Sequence, residues 1–325
     1  MTDTRGAPHA LAPERLISGA VSTHKRRRPS RTPYAMLAPA MVLFLLFLAA
    51  PIVYTVFLSF QKLTVTGLGL GPGATKPVWA GFSNYVSALS DPSFLQSAIR
   101  VLVYGLIVVP SMLFLALLFA LLLDSRRSRA RNFSRIAIFL PYAVPAVIAS
   151  LIWGFLYLPS VSPFYDIASQ LGWKHPPELL SGELVIFAIA NIALWGGVGF
   201  NMVVMYTSLK SIPTELYEAA RLDGASEVQI AWRVKVPMIV PALIMTAIFS
   251  MISTLQLFSE PTTLRPISNA ISSTFTPLMT VYRDALTRND IYSASAASVA
   301  IAVVTFALSF GFLRLIQRGA FSQES

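Results

Sequence analysis

Residues 211–237 read SIPTELYEAARLDGASEVQIAWRVKVP, a polar segment set between two stretches, Leu184–Leu209 and Val236–Ser259, that hold no Asp, Glu, Lys, Arg or His. Glu215 to Arg221 are good helix formers, Asp223-Gly224 is a turn or helix-stop signal, and Ser226 followed three residues later by Gln229 has the form of a capping box opening a second helix. The pattern predicts two short helices with a glycine bend. Each apolar flank is long enough to cross a hydrocarbon core of roughly 30 Å, which takes about 20 helical residues. The segment is therefore expected on a membrane face, with its flanks spanning.

Working outward, four further stretches have the same character: Tyr34–Phe60, Val101–Leu123, Ile136–Leu158 and Ile291–Leu313. A charge at mid-bilayer costs roughly 2.5–3.5 kcal/mol, which explains why all six exclude charged side chains. The chain is 55% hydrophobic and only 12% charged, and its apolar residues fall in blocks rather than at the helix or strand period of a half-buried soluble element. An all-α membrane protein with six transmembrane helices is expected. Pro39, Pro51, Pro110, Pro141, Pro145 and Pro241 lie inside the stretches and predict kinks rather than breaks.

Most Lys and Arg residues fall on one side if both termini are cytoplasmic: Lys25 to Arg31, Arg126 to Arg135, Lys210 to Lys235, Arg314 and Arg318. The positive-inside rule then gives an N-in, C-in topology. Residues 1–33 read as a basic, disordered cytoplasmic tail attracted to anionic lipid. Residues 34–97 read as the first transmembrane helix and an external loop, 98–316 as a core with five transmembrane helices, and 317–325 as a cytoplasmic C-terminal tail.

Several function classes are excluded. There is no cysteine, hence no disulfide, thiolate catalysis or cysteine metal site. His9, His24 and His175 have no second ligand at metal spacing. The net charge of +10 is explained by topology rather than by nucleic acid, because the basic residues border apolar blocks and the aromatic ones lie inside them. No nucleophile–base pair or carboxylate pair converges near a span, so an enzyme is not expected.

On pattern alone, the 211–237 segment is either an interfacial connector or a docking element. Glu218-Ala219-Ala220, Gly224 and Val234-Lys235-Val236-Pro237 resemble, at matching spacing, the EAA signature of binding-protein-dependent ABC importer permeases. Ala38-Pro39, Pro51, Leu58-Ser59-Phe60, Gly81-Phe82-Ser83-Asn84-Tyr85 and Leu140-Pro141 are similar to the carbohydrate-type branch, which includes maltose and glycerol-phosphate permeases. The resemblance implies a type I ABC importer transmembrane fold in the plasma membrane. It also implies a coupling helix, carrying Glu218, Ala219, Ala220 and Gly224, seated in a cleft of a cytoplasmic ABC ATPase. Asp223 reads as a turn residue or an interface contact. The implied partners are an ATPase dimer that binds ATP-Mg, a second permease subunit and an extracytoplasmic solute-binding protein.

The residues agree with a need for such a partner. No phosphate-binding loop of the form GxxxxGK[ST] occurs, since the stretch Gly69, Gly71, Gly73 and Lys76 lacks the required order. The spans also lack the carboxylates and histidines that proton-coupled carriers use. Candidate pathway residues are Asn191, Trp195, Gly197, Phe200, Asn201, Ser250, Ser253, Thr254 and Gln256. Helix–helix hydrogen bonding is the competing role of the polar ones. By resemblance, Trp195, Gly197 and Phe200, and with a one-residue gap Ser253 and Gln256, match positions lining the sugar site of maltose-type permeases. Amides, hydroxyls and aromatic faces suit a sugar or oligosaccharide. A permease for glycerol phosphate or another small solute is the alternative, and a secondary transporter or channel a more distant one.

Overall fold

The computed structural model describes residues 32–65, 75–125, 130–173 and 176–321. The expected tail up to residue 31 lies outside the described residues, as do His175, Gly69, Gly71 and Gly73. The chain divides after Pro51 into two units. In the first, α1 (Thr32–Phe44) contains Pro39 and passes into a π-helical turn, Leu45–Ala49. α2 (Ala50–Ser59), most of which belongs to the second unit, completes a span over Tyr34–Ser59. Pro51 has no N–H to donate and its ring crowds the carbonyl four residues back, so a wider turn just before it relieves the ladder.

In the second unit, the loop after α2 holds an antiparallel hairpin, β1 (Gln61–Val65) with β2 (Thr75–Trp79), in the register Gln61 to Trp79 and Val65 to Thr75. α3 (Ser83–Ser90) follows. Two short motifs that are separate in the sequence meet here. Asn84 Nδ2 donates to the carbonyls of Ser59 (2.9 Å) and Gln61 (2.6 Å), and the hydroxyls of Ser59 and Tyr85 are 2.6 Å apart. Phe60 stacks on Trp79 at 5.3 Å and meets Phe82 edge-on at 5.4 Å. The buried amide satisfies backbone oxygens released where the helix stops.

α4 (Pro92–Asp124) is capped by Asp91, whose carboxylate accepts from the Ser93 N–H at 2.9 Å. Its sequence is apolar on all sides, yet burial selects one stripe: Phe94, Ser97, Val101, Tyr104, Val108, Met112, Ala116, Ala120 and Leu123. These steps of three and four residues trace one helical face. That face packs along α8 (Val185–Lys210), and the opposite one, with Leu95, Leu102, Leu106 and Phe114, suits lipid.

The third span is broken rather than kinked. α5 (Arg131–Phe139) and a 3-10 turn over Leu140–Ala143 meet α6 (Ala146–Tyr157) at 97°. Val144 precedes Pro145 and is extended, with ψ 124°, as the proline ring requires of its neighbour. α8 crosses this break at Gly199. A Cβ there would meet the Ile138 carbonyl oxygen and lie 2.7 Å from Phe139 Cα, so only glycine permits the contact.

After α7 (Pro163–Gln170) and α8, the polar hairpin comprises α9 (Thr214–Leu222) and α10 (Glu227–Ile230), which continues through a π turn, Ala231–Lys235, into α11 (Val236–Met238). α12 (Val240–Leu255) starts with Pro241 in its first turn, where the missing N–H costs nothing. α13 (Ser259–Leu264) extends this span to Ile267, past the expected end at Ser259. α14 (Pro277–Tyr282) leads to α15 (Ile291–Phe321), so the segment expected as a tail from residue 317 is helical to Phe321. Among the described residues, five helices are long and apolar enough to cross a membrane, six if the bent pair is one span.

Two substitutions test this packing. Gly199→Val is expected to lower stability by about 1–3 kcal/mol through overpacking. Asn84→Ala, which strands two carbonyls, should cost about 1–3 kcal/mol. Both are read as a lower melting temperature of the detergent-solubilised protein. Gly311→Ala, where a Cβ meets nothing within 4 Å, should leave the melting temperature level or higher, and three equal transitions would contradict the packing described.

Candidate functional site

The polar hairpin is built by local chemistry. α9 ends in a Schellman arrangement: the Gly224 N–H donates to the Arg221 carbonyl and the Ala225 N–H to the Ala220 carbonyl, both at 3.0 Å. Gly224 has φ 82°, the left-handed conformation that glycine adopts without strain. Ser226 then opens α10 with a complete capping box. Its hydroxyl accepts from the Gln229 N–H at 3.3 Å, and Gln229 Oε1 accepts from the Ser226 N–H at 2.8 Å. Arg221 Nε donates to Glu227 Oε1 at 2.9 Å, holding the two helices together, and this bond raises the Arg221 pKa.

The hairpin's outer face carries Glu218, Ala219, Asp223 and Gly224, all exposed, with Ala220 half-buried behind them. Leu222, Val228 and Trp232 are also exposed, Leu222 to 89%. These three were not singled out in the sequence. The available signal was that large apolar side chains recur on a helix face otherwise marked polar.

The hairpin's inner face is anchored by an ionic cluster. Asp124, at the end of α4, is buried, with Lys210 Nζ of α8 2.7 Å from Oδ1 and Lys235 Nζ 2.6 Å from Oδ2. Lys235 is itself buried and lies over the Tyr217 ring at 5.0 Å. Tyr217 of α9 donates its hydroxyl to the Leu209 carbonyl at 3.3 Å. Burial, then the nearby Asp124 charge, push the Tyr217 phenol up to about 12. The sequence hint was Asp124 itself, a lone acid at the edge of a basic loop.

A cavity of about 700 Å³ lies at the two helix breaks, within the size range of small-molecule sites. Pro141, Tyr142 and Pro145 come from the broken span, Gly196, Gly197, Phe200 and Asn201 from α8, and Ser250, Ser253, Thr254 and Gln256 from α12 and its end. Ser259 and Glu260 of α13 complete the wall beside Tyr104 of α4. Tyr142 and Phe200 stack at 5.0 Å and 19°, presenting an aromatic platform. Asn201 spends its amide N–H on the Gly197 carbonyl at 3.0 Å. Its Oδ1 and the hydroxyl of Ser250, both enclosed, have no hydrogen-bond partner among the described residues, while Ser253 and Gln256 expose their side chains in the wall.

Seven of the nine expected pathway residues line this cavity: Gly197, Phe200, Asn201, Ser250, Ser253, Thr254 and Gln256. Asn191 and Trp195 do not. Asn191 Nδ2 donates to Tyr157 Oη at 2.8 Å, and Trp195 packs edge-on against Trp153 at 6.0 Å. Both join α8 to α6, the helix–helix role that competes with pathway lining. Glu260 is the reverse case, a wall residue that lay one position beyond the expected span.

Residues 116–321 match the family model of the binding-protein-dependent transport system inner membrane component. Over 294 residues the chain is 28% identical to the Probable ABC transporter permease protein YurN of Bacillus subtilis, covering 88% of this chain and 96% of that one. It is 27% identical to the sn-glycerol-3-phosphate transport system permease protein of Brucella abortus, covering 88% and 94%. Its fold is similar to that in a crystal structure of a bacterial ABC transporter importing the acidic polysaccharide alginate. That match has a TM-score of 0.77 and 22% identity over 88% of this chain and 95% of the other.

The ionic cluster sets a graded expectation. Asp124→Asn strands the buried Lys235 ammonium and should destabilise by about 3 kcal/mol or more. Lys210→Met, which removes a half-exposed partner, should cost about 1 kcal/mol or less. The double change Asp124→Leu with Lys235→Met should recover most of the loss, because an apolar pair can replace a buried ion pair. Melting temperatures in detergent check the series, and equal values for Asp124→Asn and Lys210→Met would contradict it.

Proposed function

The chain belongs to the family of binding-protein-dependent transport system inner membrane components, the non-catalytic multi-pass permeases of ABC importers, and we propose that the solute it passes is a sugar or oligosaccharide. The observation that carries this reading is the cavity wall. A stacked aromatic pair, the exposed hydroxyl of Ser253 and the exposed amide of Gln256 match a molecule with apolar ring faces and many hydroxyls. Seven residues already singled out on chemical grounds share that wall. A glycerol phosphate is the second reading, favoured by the name of the Brucella relative.

In the proposed cycle, both termini are cytoplasmic and the exposed face of α9, with Glu218, Ala219, Ala220, Asp223 and Gly224, seats in a cleft of an ATPase subunit. ATP-Mg binding closes an ATPase dimer, the hairpins follow, and the cavity alternates between the two sides of the membrane. A solute-binding protein delivers the solute from outside. One chain of this size supplies half of a pathway, so a second permease chain supplies the rest.

Affinity purification of the tagged chain, expressed with its chromosomal neighbours, tests this scheme. An ATPase and a second six-span chain are expected in the product. Glu218→Ala should reduce ATPase recovery, and Gly224→Asp, which strains the left-handed turn by about 1 kcal/mol, should lower solute imported per ATP by roughly tenfold or more. Recovery of the intact chain alone, or full coupling in both variants, would overturn the docking assignment. In proteoliposomes, competition of uptake by neutral oligosaccharides supports the sugar reading, and competition by glycerol phosphate supports the second.

A further inference from the structure

Glu260 stands in the wall of the cavity although it belongs to a candidate span, Val240–Ile267. α12 ends at Leu255 and α13 begins at Ser259, and the irregular residues between them turn the start of α13 toward the space that Gln256 and Ser253 also line. No Lys, Arg or His is present in the wall, and among the described residues no cation lies within ion-pair distance of Glu260. Asp124, in contrast, has two lysines. An acid kept at membrane depth without a protein counter-charge is a functional group by default.

We propose that Glu260 is a specificity-determining residue that makes this cavity reject anions, so that the solute is a polyhydroxylated molecule without net negative charge, neutral or cationic. The inference rests on the reading of the cavity as the solute pathway, and it narrows that reading. A carboxylate accepts hydrogen bonds only, which suits the hydroxyls of a sugar ring or the ammonium of an amino sugar. The same carboxylate repels a phosphate, sulfonate or uronate, and no Lys, Arg or His among this chain's described wall residues neutralises either charge. Glu260 thus adds an acceptor-only group to a wall of hydroxyls and amides, a complement to a donor-rich solute.

The absence of cysteine from the chain permits a direct test. Ser253, exposed in the cavity wall, is changed to Cys in the full chain, purified with the subunits that accompany it and reconstituted. Its modification rates are measured with three methanethiosulfonate reagents, uncharged methyl, cationic trimethylammonium-ethyl and anionic sulfonato-ethyl, each normalised to its rate on a small free thiol. The expected result is modification by the uncharged reagent and a preference for the cationic over the anionic one of roughly tenfold, about the effect of one screened charge contact. Adding Glu260→Gln should collapse the preference toward one, while Glu260→Asp should keep it. A cysteine reactive to all three reagents without preference, or with a preference that Glu260→Gln leaves intact, overturns the role of Glu260 and leaves the pathway reading standing. A cysteine inert to the uncharged reagent as well overturns the pathway reading and the inference with it.

Discussion

Asp124 is an acid at the C-terminal end of a helix, where the backbone dipole disfavours it, and it is buried. It is stable there because two ammonium groups converge on it, Lys210 from the end of α8 and Lys235 from the far end of the hairpin. Three segments distant in sequence are tied at one carboxylate, and Tyr217 locks α9 onto the same cluster through its ring and its hydroxyl. Without that anchor, α9 and α10 would be a short polar excursion with too few buried contacts to hold one orientation. With it, the exposed face that carries Glu218 and Ala219 is fixed relative to α4 and α8.

The opposite requirement holds at the cavity, where the backbone is interrupted instead of tied. A membrane-spanning chain keeps irregular backbone only where it is buried in protein or lines a cavity. Both interruptions obey this rule: Leu140–Val144 before Pro145, and Gln256–Phe258 between α12 and α13 contribute to the same wall. Gly199 lets α8 approach the first interruption closely. The breaks therefore border a space that can hold a ligand rather than hydrocarbon.

This division explains what was legible in the sequence. Lengths of apolar stretch announce spans because lipid imposes them, and Gly224 with the Ser226–Gln229 box announces the hairpin because turn and cap chemistry is local. Which face of α4 is buried could not be read, since its residues are apolar around the whole helix and only packing against α8 selects Tyr104, Met112 and Ala116. Pro145 was visible, but a kink and a 97° break have the same local signal and differ by what fills the gap. Asn191 and Trp195 had the right chemistry for a pathway and an equally good use in joining α8 to α6. Glu260 escaped because a span drawn to exclude charges must stop one residue short of it.

The ionic cluster and the cavity belong to one continuous piece of structure. α4 carries Asp124 at one end and Tyr104 and Met112 in the cavity wall, and α8 carries Lys210 at one end and Phe200 and Asn201 in the wall. Between them, Ala116, Ala120, Met202 and Met205 are fully buried, and interiors packed this closely shift as units rather than deform. In the proposed cycle, a displacement of α9 reaches the wall as a movement of the α4–α8 pair, while the broken span and the α12–α13 junction supply the places where the backbone yields. A stiff pair joined to two hinged walls is the mechanical arrangement that alternating access needs, and the small side chains of α4 together with Gly197 of α8, where a Cβ would collide with Met112, are what allow the pair to be stiff.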